Sequence, residues 1–174
     1  IIDMAIHPSN GDIVYAASWE RIRRPQFRQY GGETSGLHRS LDGGDTWSEM
    51  TNGLPSLASN KGRISIDISK SNPNVLYARY ANASGSIEGV YKTSDGGNLW
   101  TAVNAAALDN VGFHWWFRGI VVDPNDENTI YNVDFNVQKS TDGGNSWSDA
   151  FPNAHVDQHA LDFNTMVHGA VSVS

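Results

Sequence analysis

One eight-residue pattern recurs three times and restricts the fold more than any other feature of the chain. Ser40-Leu41-Asp42-Gly43-Gly44-Asp45-Thr46-Trp47 returns as Thr93-Ser94-Asp95-Gly96-Gly97-Asn98-Leu99-Trp100, and again as Ser140-Thr141-Asp142-Gly143-Gly144-Asn145-Ser146-Trp147. The copies stand roughly 50 residues apart, a period that points to stacked supersecondary units rather than to one continuous core. Adjacent glycines permit positive φ in a tight hairpin turn. An aspartate just before them can accept the turn's backbone N–H groups. The closing tryptophan supplies a large surface to pack between neighbouring units. Ser40, Asp42, Gly44 and Trp47 are therefore read as structural, with Thr93, Asp95, Gly97 and Trp100, and Ser140, Asp142, Gly144 and Trp147.

A second motif precedes each box. Ala5-Ile6-His7-Pro8 leads through a turn to Ile13-Val14-Tyr15-Ala16; Ser65-Ile66-Asp67 leads to Val75-Leu76-Tyr77-Ala78; Val121-Val122-Asp123-Pro124 leads to Thr129-Ile130-Tyr131. Each box also follows a short apolar stretch ending in a basic residue: Leu37-His38-Arg39, Val90-Tyr91-Lys92 and Val137-Gln138-Lys139. Four short strands per unit, separated by Gly, Asn, Asp and Pro turns, describe an all-β chain of four-stranded antiparallel β-propeller blades. The expected blades cover about residues 1–51, 60–104 and 117–150, with the start of a fourth over 155–174, in one partial propeller spanning 1–174. The tail from Thr165 to Ser174 lacks the Pro/Asn turn and Tyr-containing strand expected next. Propellers close with four to eight blades, so the expectation is a partial ring, or a fragment of a larger propeller completed by further blades or other chains. A start at Ile1 agrees with either a processed end or a piece of something longer.

The S/T-x-D-G-G-x-x-W box resembles the Asp-box, or BNR, repeat of sialidases, sortilin-type domains and xyloglucanases. Over nearly the whole chain the context is similar to bacterial secreted sortilin-like (VPS10-type) and BNR-repeat glycosyl-hydrolase-like proteins. The resemblance implies the propeller fold and a bacterial, extracellular or cell-surface setting, and it is nearly silent about activity.

Composition narrows the partners. Among 174 residues, 19 acidic and 12 basic side chains give a net charge of −7, the wrong sign for a nucleic-acid binder. Apolar runs of four or five residues fall far short of the roughly 20 that a spanning helix needs, so no membrane insertion is expected. There is no cysteine, which removes disulfides and thiol chemistry. Asp123-Pro124-Asn125-Asp126-Glu127 has the acidity of a calcium loop but Asn128 where the turn glycine belongs, and it aligns with the other turns between first and second strands.

In a four-stranded blade numbered from the axis outwards, the box turn and the Pro/Asn turn share one face. Loops joining strands two and three, and loops entering each innermost strand, share the other. That second face is where the sequence is least repetitive, and three stretches on it carry chemistry. The insertion Trp19–Tyr30 holds Arg21, Arg23, Arg24 and Arg28 interleaved with aromatics, ending in Tyr30; such a set suits carboxylate, phosphate or sugar recognition. Its other reading is a lid whose arginines pair with acidic neighbours. The stretch Phe113-His114-Trp115-Trp116-Phe117-Arg118 precedes the third innermost strand. Adjacent residues of an extended segment point opposite ways, so Trp115 and Trp116 cannot both be core, and one is free to stack on a sugar; His114 lies beside them. His155, Asp157 and His159, at alternate positions of an extended segment, would project together as a site for a divalent metal such as zinc. No other cofactor is suggested.

Glycosidase chemistry is the main rival to recognition. Sialidase resemblance implies an arginine triad, a Tyr–Glu nucleophile pair and an R-I-P motif, from which Arg21-Ile22-Arg23-Arg24-Pro25 departs. Of five glutamates, Glu20 and Glu88 remain open as catalytic groups. Xyloglucanase-like inversion needs two facing carboxyls, for which Asp109 and Asp157 are the candidates in this chain. The preferred expectation is a non-catalytic module binding a polysaccharide or protein through the face opposite the boxes. The alternative is a fragment of a glycoside hydrolase whose catalytic residues lie partly elsewhere.

Overall fold

The computed structural model describes residues 1–108, 112–164 and 170–173. Asp109 and residues 165–169 and 174 of the tail lie outside them, so expectations placed there find no structural counterpart. The first sheet takes β1 (Asp3–Ile6) and β2 (Val14–Ser18), is interrupted by a hairpin of β3 (Ile22–Arg24) and β4 (Phe27–Gln29), and resumes with β5 (Gly36–Ser40) and β6 (Ser48–Met50). The second is β7 (Ile64–Ile68), β8 (Leu76–Ala81), β9 (Ile87–Thr93) and β10 (Thr101–Val103); the third is β11 (Gly119–Asp123), β12 (Asp126–Val133), β13 (Val137–Ser140) and β14 (Ser148–Asp149). Each is an antiparallel meander of four strands. β15 (Leu161–Asn164) pairs with β16 (Ala170–Val173), which places a strand within the tail. The chain is an arc of β-propeller blades, with β7 set between β1 and β11 on the inner side. No helix of the described residues is long and apolar enough to cross a membrane.

Alternation along each strand feeds two cores, one on each side of a blade. In β8, Leu76, Ala78 and Tyr80 face back to Tyr15, Leu37 and Met50 of blade one, while Tyr77 faces forward to Ile120 and Ile130 of blade three. Val121, Tyr131, Val133 and Val137 then meet Leu161 and Phe163 of β15. The same register positions change environment at the start of the arc. Ile66 and Ile68 of blade two, and Ile120 and Val122 of blade three, are buried against the blade before them, whereas Met4 and Ile6 of blade one are exposed. The tryptophans behave alike: Trp100 is 2% exposed and Trp147 donates from its indole N–H to Asn104 O of blade two at 2.6 Å, but Trp47 is 42% exposed. Packing between blades thus holds for Trp100 and Trp147, and no described residue covers the exposed part of Trp47.

The D-G-G turns are built as their residue types dictate. Ser40 Oγ donates to Asp42 Oδ1 at 2.7 Å and accepts Gly44 N–H at 2.8 Å, while Asp42 Oδ1 accepts Thr46 N–H at 2.9 Å. The Thr46 hydroxyl, with Thr46 N–H and the Ser40 hydroxyl, holds the Asp42 carboxyl down to about 2, and Ser146 and Ser140 do likewise for Asp142. At Gly97 φ is +93° and a Cβ would meet Met50 Sδ at 2.6 Å, so both backbone and neighbouring blade require glycine. Each box turn is tied to the turn between strands one and two by one backbone bond: Gly43 N to Asp12 O, Gly96 N to Asn74 O and Gly143 N to Asn128 O, at 2.9, 3.0 and 2.9 Å. Both turns therefore share a face. In the Asp123–Asn128 turn, Asp126 accepts Asn128 N–H and Thr129 Oγ1–H, the work of a structural turn.

Candidate functional site

The opposite face gathers the irregular loops around a buried ionic network. Arg79 lies in β8 among apolar neighbours and is fully buried. Its Nη1 donates to Asp134, just past β12, and to Asn132 Oδ1; its Nη2 donates to His114 O at 2.7 Å. His114 Nδ1 sits 2.6 Å from Asp134 Oδ2, and both side chains are wholly shielded from solvent. The main chain of the same residues continues the scaffold: Gln158 N–H donates to Asp134 O and Asp157 N–H to Phe135 O. Arg79 and Asp134 thus fix two loops at once, 113–117 and 155–158.

Above this network opens an apolar cleft of about 590 Å³, lined by Phe113, Trp115, Trp116, Phe135, His155, Val156 and Asp157. The loop 113–117 is turned rather than extended, and its two tryptophans divide their tasks. Trp115 is half-buried and stacks on Tyr30, with centroids 4.3 Å and planes 14° apart. Trp116 is 50% exposed and stands edge-on to Trp115 and to His159. Gly85 makes room for the first of them: its φ is +99°, and a Cβ would lie 2.9 Å from the Trp115 ring and 2.4 Å from Gly112 O. Trp116 also walls a second, smaller cavity of about 290 Å³, lined by Ile2, Asp3, Arg63, Arg118 and His159. Arg63 Nη1 donates to Trp115 O and Trp116 O at 2.9 and 3.1 Å, so the guanidinium and the indole are positioned together. Asp3 accepts Ile66 N–H and Met4 N–H, and burial raises its pKa.

The insertion forms a protruding hairpin. Arg23 lies directly across from Arg28, and Arg24 across from Phe27. Arg21 lies over the Trp19 ring at 5.0 Å, with Arg63 over the same ring at 6.0 Å. All four hairpin arginines are exposed, and none forms an ion pair among the described residues. A lid held by Arg–carboxylate pairs is therefore not what forms. The hairpin is instead held at its base by Glu20, which accepts Thr34 N–H, Thr34 Oγ1–H and Gln29 Nε2–H, and by Trp19 Nε1–H donating to Tyr30 O at 2.7 Å. Glu88 accepts Asn60 Nδ2–H at 2.6 Å. Both glutamates thus hold loops in place.

Two site expectations need correction. His114 cannot reach a ligand, because it is fully buried between Arg79 and Asp134. The three-residue metal cluster does not assemble: φ of Asp157 is +77°, which breaks the extended run. His159 meets Asp157 at 3.1 Å, His155 Nδ1 lies against Val156 O, and the described residues contain no group of three potential ligands. Conversely, the sequence does not single out Arg63, Arg79, Asp134 or Phe135. A guanidinium inside the apolar run Leu76-Tyr77-Ala78-Arg79-Tyr80-Ala81 was the available signal, since a charge there requires a buried partner.

No family model matches the chain, and no curated protein matches it. Solved structures do. An ancestral GH74 enzyme superposes with a TM-score of 0.64 over 91% of this chain at 22% identity, and the GH74 xyloglucanase from Xanthomonas campestris with 0.59 over 91% at 19%. YCF48 bound to D1 peptide gives 0.54 over 86% at 15%. The chain spans 21%, 24% and 39% of those proteins' lengths, respectively. At these identities the likeness establishes the β-propeller fold.

Proposed function

We propose that this chain is the ligand-recognising arc of a larger β-propeller and that it binds a polysaccharide on the face opposite the D-G-G turns. One observation carries the reading: a cleft walled by four aromatic rings, with Trp116 half-exposed on a rigidly bonded loop. An exposed ring on a preorganised loop offers a flat surface to the C–H face of a sugar at little entropic cost. The reading is supported by a xyloglucanase among the structural neighbours, and a peptide-bound neighbour supplies the rival ligand class. We take the D-G-G turns to be Asp-box repeats and the setting to be the outside of a bacterial cell, where such polymers are met. The uncovered face of Met4, Ile6 and Trp47 is read as joined to a preceding blade, from a longer chain or another one.

Retention on a panel of immobilised soluble polysaccharides tests this. Trp116→Ala abolishes retention, while Leu99→Ala, which removes an equally exposed apolar side chain beside a D-G-G turn, leaves it intact. Unchanged retention by the Trp116 variant sinks the sugar platform.

A second reading, a section of a glycoside hydrolase, has one favouring observation: the Asp3 carboxyl, with its raised pKa, borders the smaller cavity beside Trp116. A carboxyl whose hold on its proton is strengthened by burial is the type of group from which a general acid is made. Release of reducing sugar by the complete protein, lost in Asp3→Asn, would favour hydrolysis over recognition alone.

A further inference from the structure

The polysaccharide reading leaves open what distinguishes the ligand, and the smaller cavity beside Trp116 speaks to that. Arg118 enters it from the segment just before β11; it is exposed and makes no hydrogen bond or ion pair among the described residues. Arg63 enters from the segment before β7, aimed by the carbonyls of Trp115 and Trp116, with its Nε buried and unpartnered. Two guanidiniums face one carboxylate, Asp3, whose oxygens already accept Ile66 and Met4 N–H groups. His159 closes the cavity with its ring edge-on to Trp116. Within the lining two guanidiniums meet one carboxyl, and Asp67, outside the lining, also acts on Arg118. The hairpin continues the excess, because Arg21 and Arg63 share the Trp19 ring and Arg23, Arg24 and Arg28 have no acidic partner among the described residues.

Resting on the polysaccharide reading, we infer that the preferred ligand carries carboxylated sugars: a hexuronate ring stacks on Trp116 while its carboxylate is held by Arg118 beside Arg63. The cavity of about 290 Å³ shares Trp116 with the apolar cleft, so a sugar ring against the indole lies beside the two guanidiniums. Guanidinium binds carboxylate through paired, charge-assisted hydrogen bonds, which a neutral sugar cannot return. An Asp or Glu side chain would satisfy the arginines but carries no ring of its own, whereas a hexuronate brings ring face and carboxylate in one residue, so the sugar is favoured.

The test uses oligogalacturonate and its methyl ester, which share ring and linkage and differ in the carboxylate charge, with affinity read by calorimetry. The wild-type protein is expected to bind the free acid at least about 10-fold more tightly than the ester, the worth of one charge-assisted hydrogen bond. Arg118→Ala should erase that difference while leaving the ester's affinity and the thermal midpoint unchanged, and Arg118→Lys should restore part of it. Trp116→Ala should weaken both ligands. Lys70→Ala, in the turn between β7 and β8 on the opposite face, should change affinity by less than about 2-fold, as expected for an exposed charge outside the site. Equal binding of acid and ester, unaffected by Arg118→Ala, overturns the carboxylate inference and leaves polysaccharide recognition standing. Equal losses from Lys70→Ala and Arg118→Ala indicate diffuse attraction and overturn it also. Binding of polyglutamate but of neither sugar, lost in Arg118→Ala, overturns both the inference and the polysaccharide reading in favour of an acidic protein ligand.

Discussion

Tyr30 and Trp115 stack with their ring centroids 4.3 Å apart, joining the inserted hairpin of the first blade to the loop that enters the third. The pair bridges across the second blade's loops and fixes the position from which Trp116 projects. Stacked aromatic pairs contribute about 0.5–1.5 kcal/mol beyond the area they bury. A double-mutant cycle with Tyr30→Ala and Trp115→Ala should return a coupling in that range by urea denaturation, and Tyr30→Ala should weaken polysaccharide binding although Tyr30 lies outside the cleft lining. Additive losses would show the two rings to be independent.

Removing one member of the buried network should be far more damaging than removing an exposed arginine. Asp134→Ala leaves the Arg79 guanidinium buried without its counter-charge, a situation that costs about 3–5 kcal/mol. The Arg79→Met, Asp134→Leu double variant removes both charges and should recover most of that stability by the same denaturation measurement. Because His114 hangs on Asp134, the double variant should still lose ligand affinity as the loop 113–117 is released. Equal stability of single and double variants would contradict an ion pair as the fastening.

The box tryptophans give a paired comparison. Trp100→Ala empties a buried inter-blade site and should cost about 3–5 kcal/mol. Trp47→Ala, made in these 174 residues alone, should cost less than about 0.5 kcal/mol, as for surface positions generally, because the indole is 42% exposed there. A large loss from Trp47→Ala would mean that the indole is already packed.

How these positions relate explains what the sequence could and could not reveal. The three D-G-G-x-x-W boxes determine turn, strand order and face, because glycine φ and aspartate bonding are local properties that repeat with the motif. The environment of each box tryptophan is not local: one D-G-G-x-x-W pattern gives a buried Trp100 and an exposed Trp47, depending on what packs against it. The cleft was legible as a paired Trp115-Trp116 on the irregular face. Its foundation was not, since Arg79, His114 and Asp134 lie far apart in sequence and meet only through blade packing. The metal reading of His155, Asp157 and His159 assumed extended backbone, and the positive φ at Asp157 removes that assumption.

Acid should loosen the turns in a defined window. Asp42 and Asp142 are held down to about 2 by hydroxyl and backbone donors, against an unfolded value near 3.9. The folded pKa is the lower one, so this stabilisation is fully present above about pH 4 and disappears as pH falls towards 2. Asp3 and Asp67, raised by burial, act with the opposite sign, so the whole-protein profile mixes both. The difference in Tm between wild type and Asp142→Asn isolates the turn: it should be largest above pH 4 and shrink towards pH 2. A difference independent of pH would rule out the carboxylate's charge as the cause.

The most direct test of the central claim is a map of backbone amide shifts as a bound polysaccharide oligomer is titrated into the labelled protein. Perturbations should concentrate at 113–118 and 155–159, with smaller ones in the Trp19–Tyr30 hairpin and none at the three D-G-G turns. Perturbations centred on residues 42–46, 95–99 and 142–146, with a silent Trp116 loop, would place the ligand on the opposite face and contradict it.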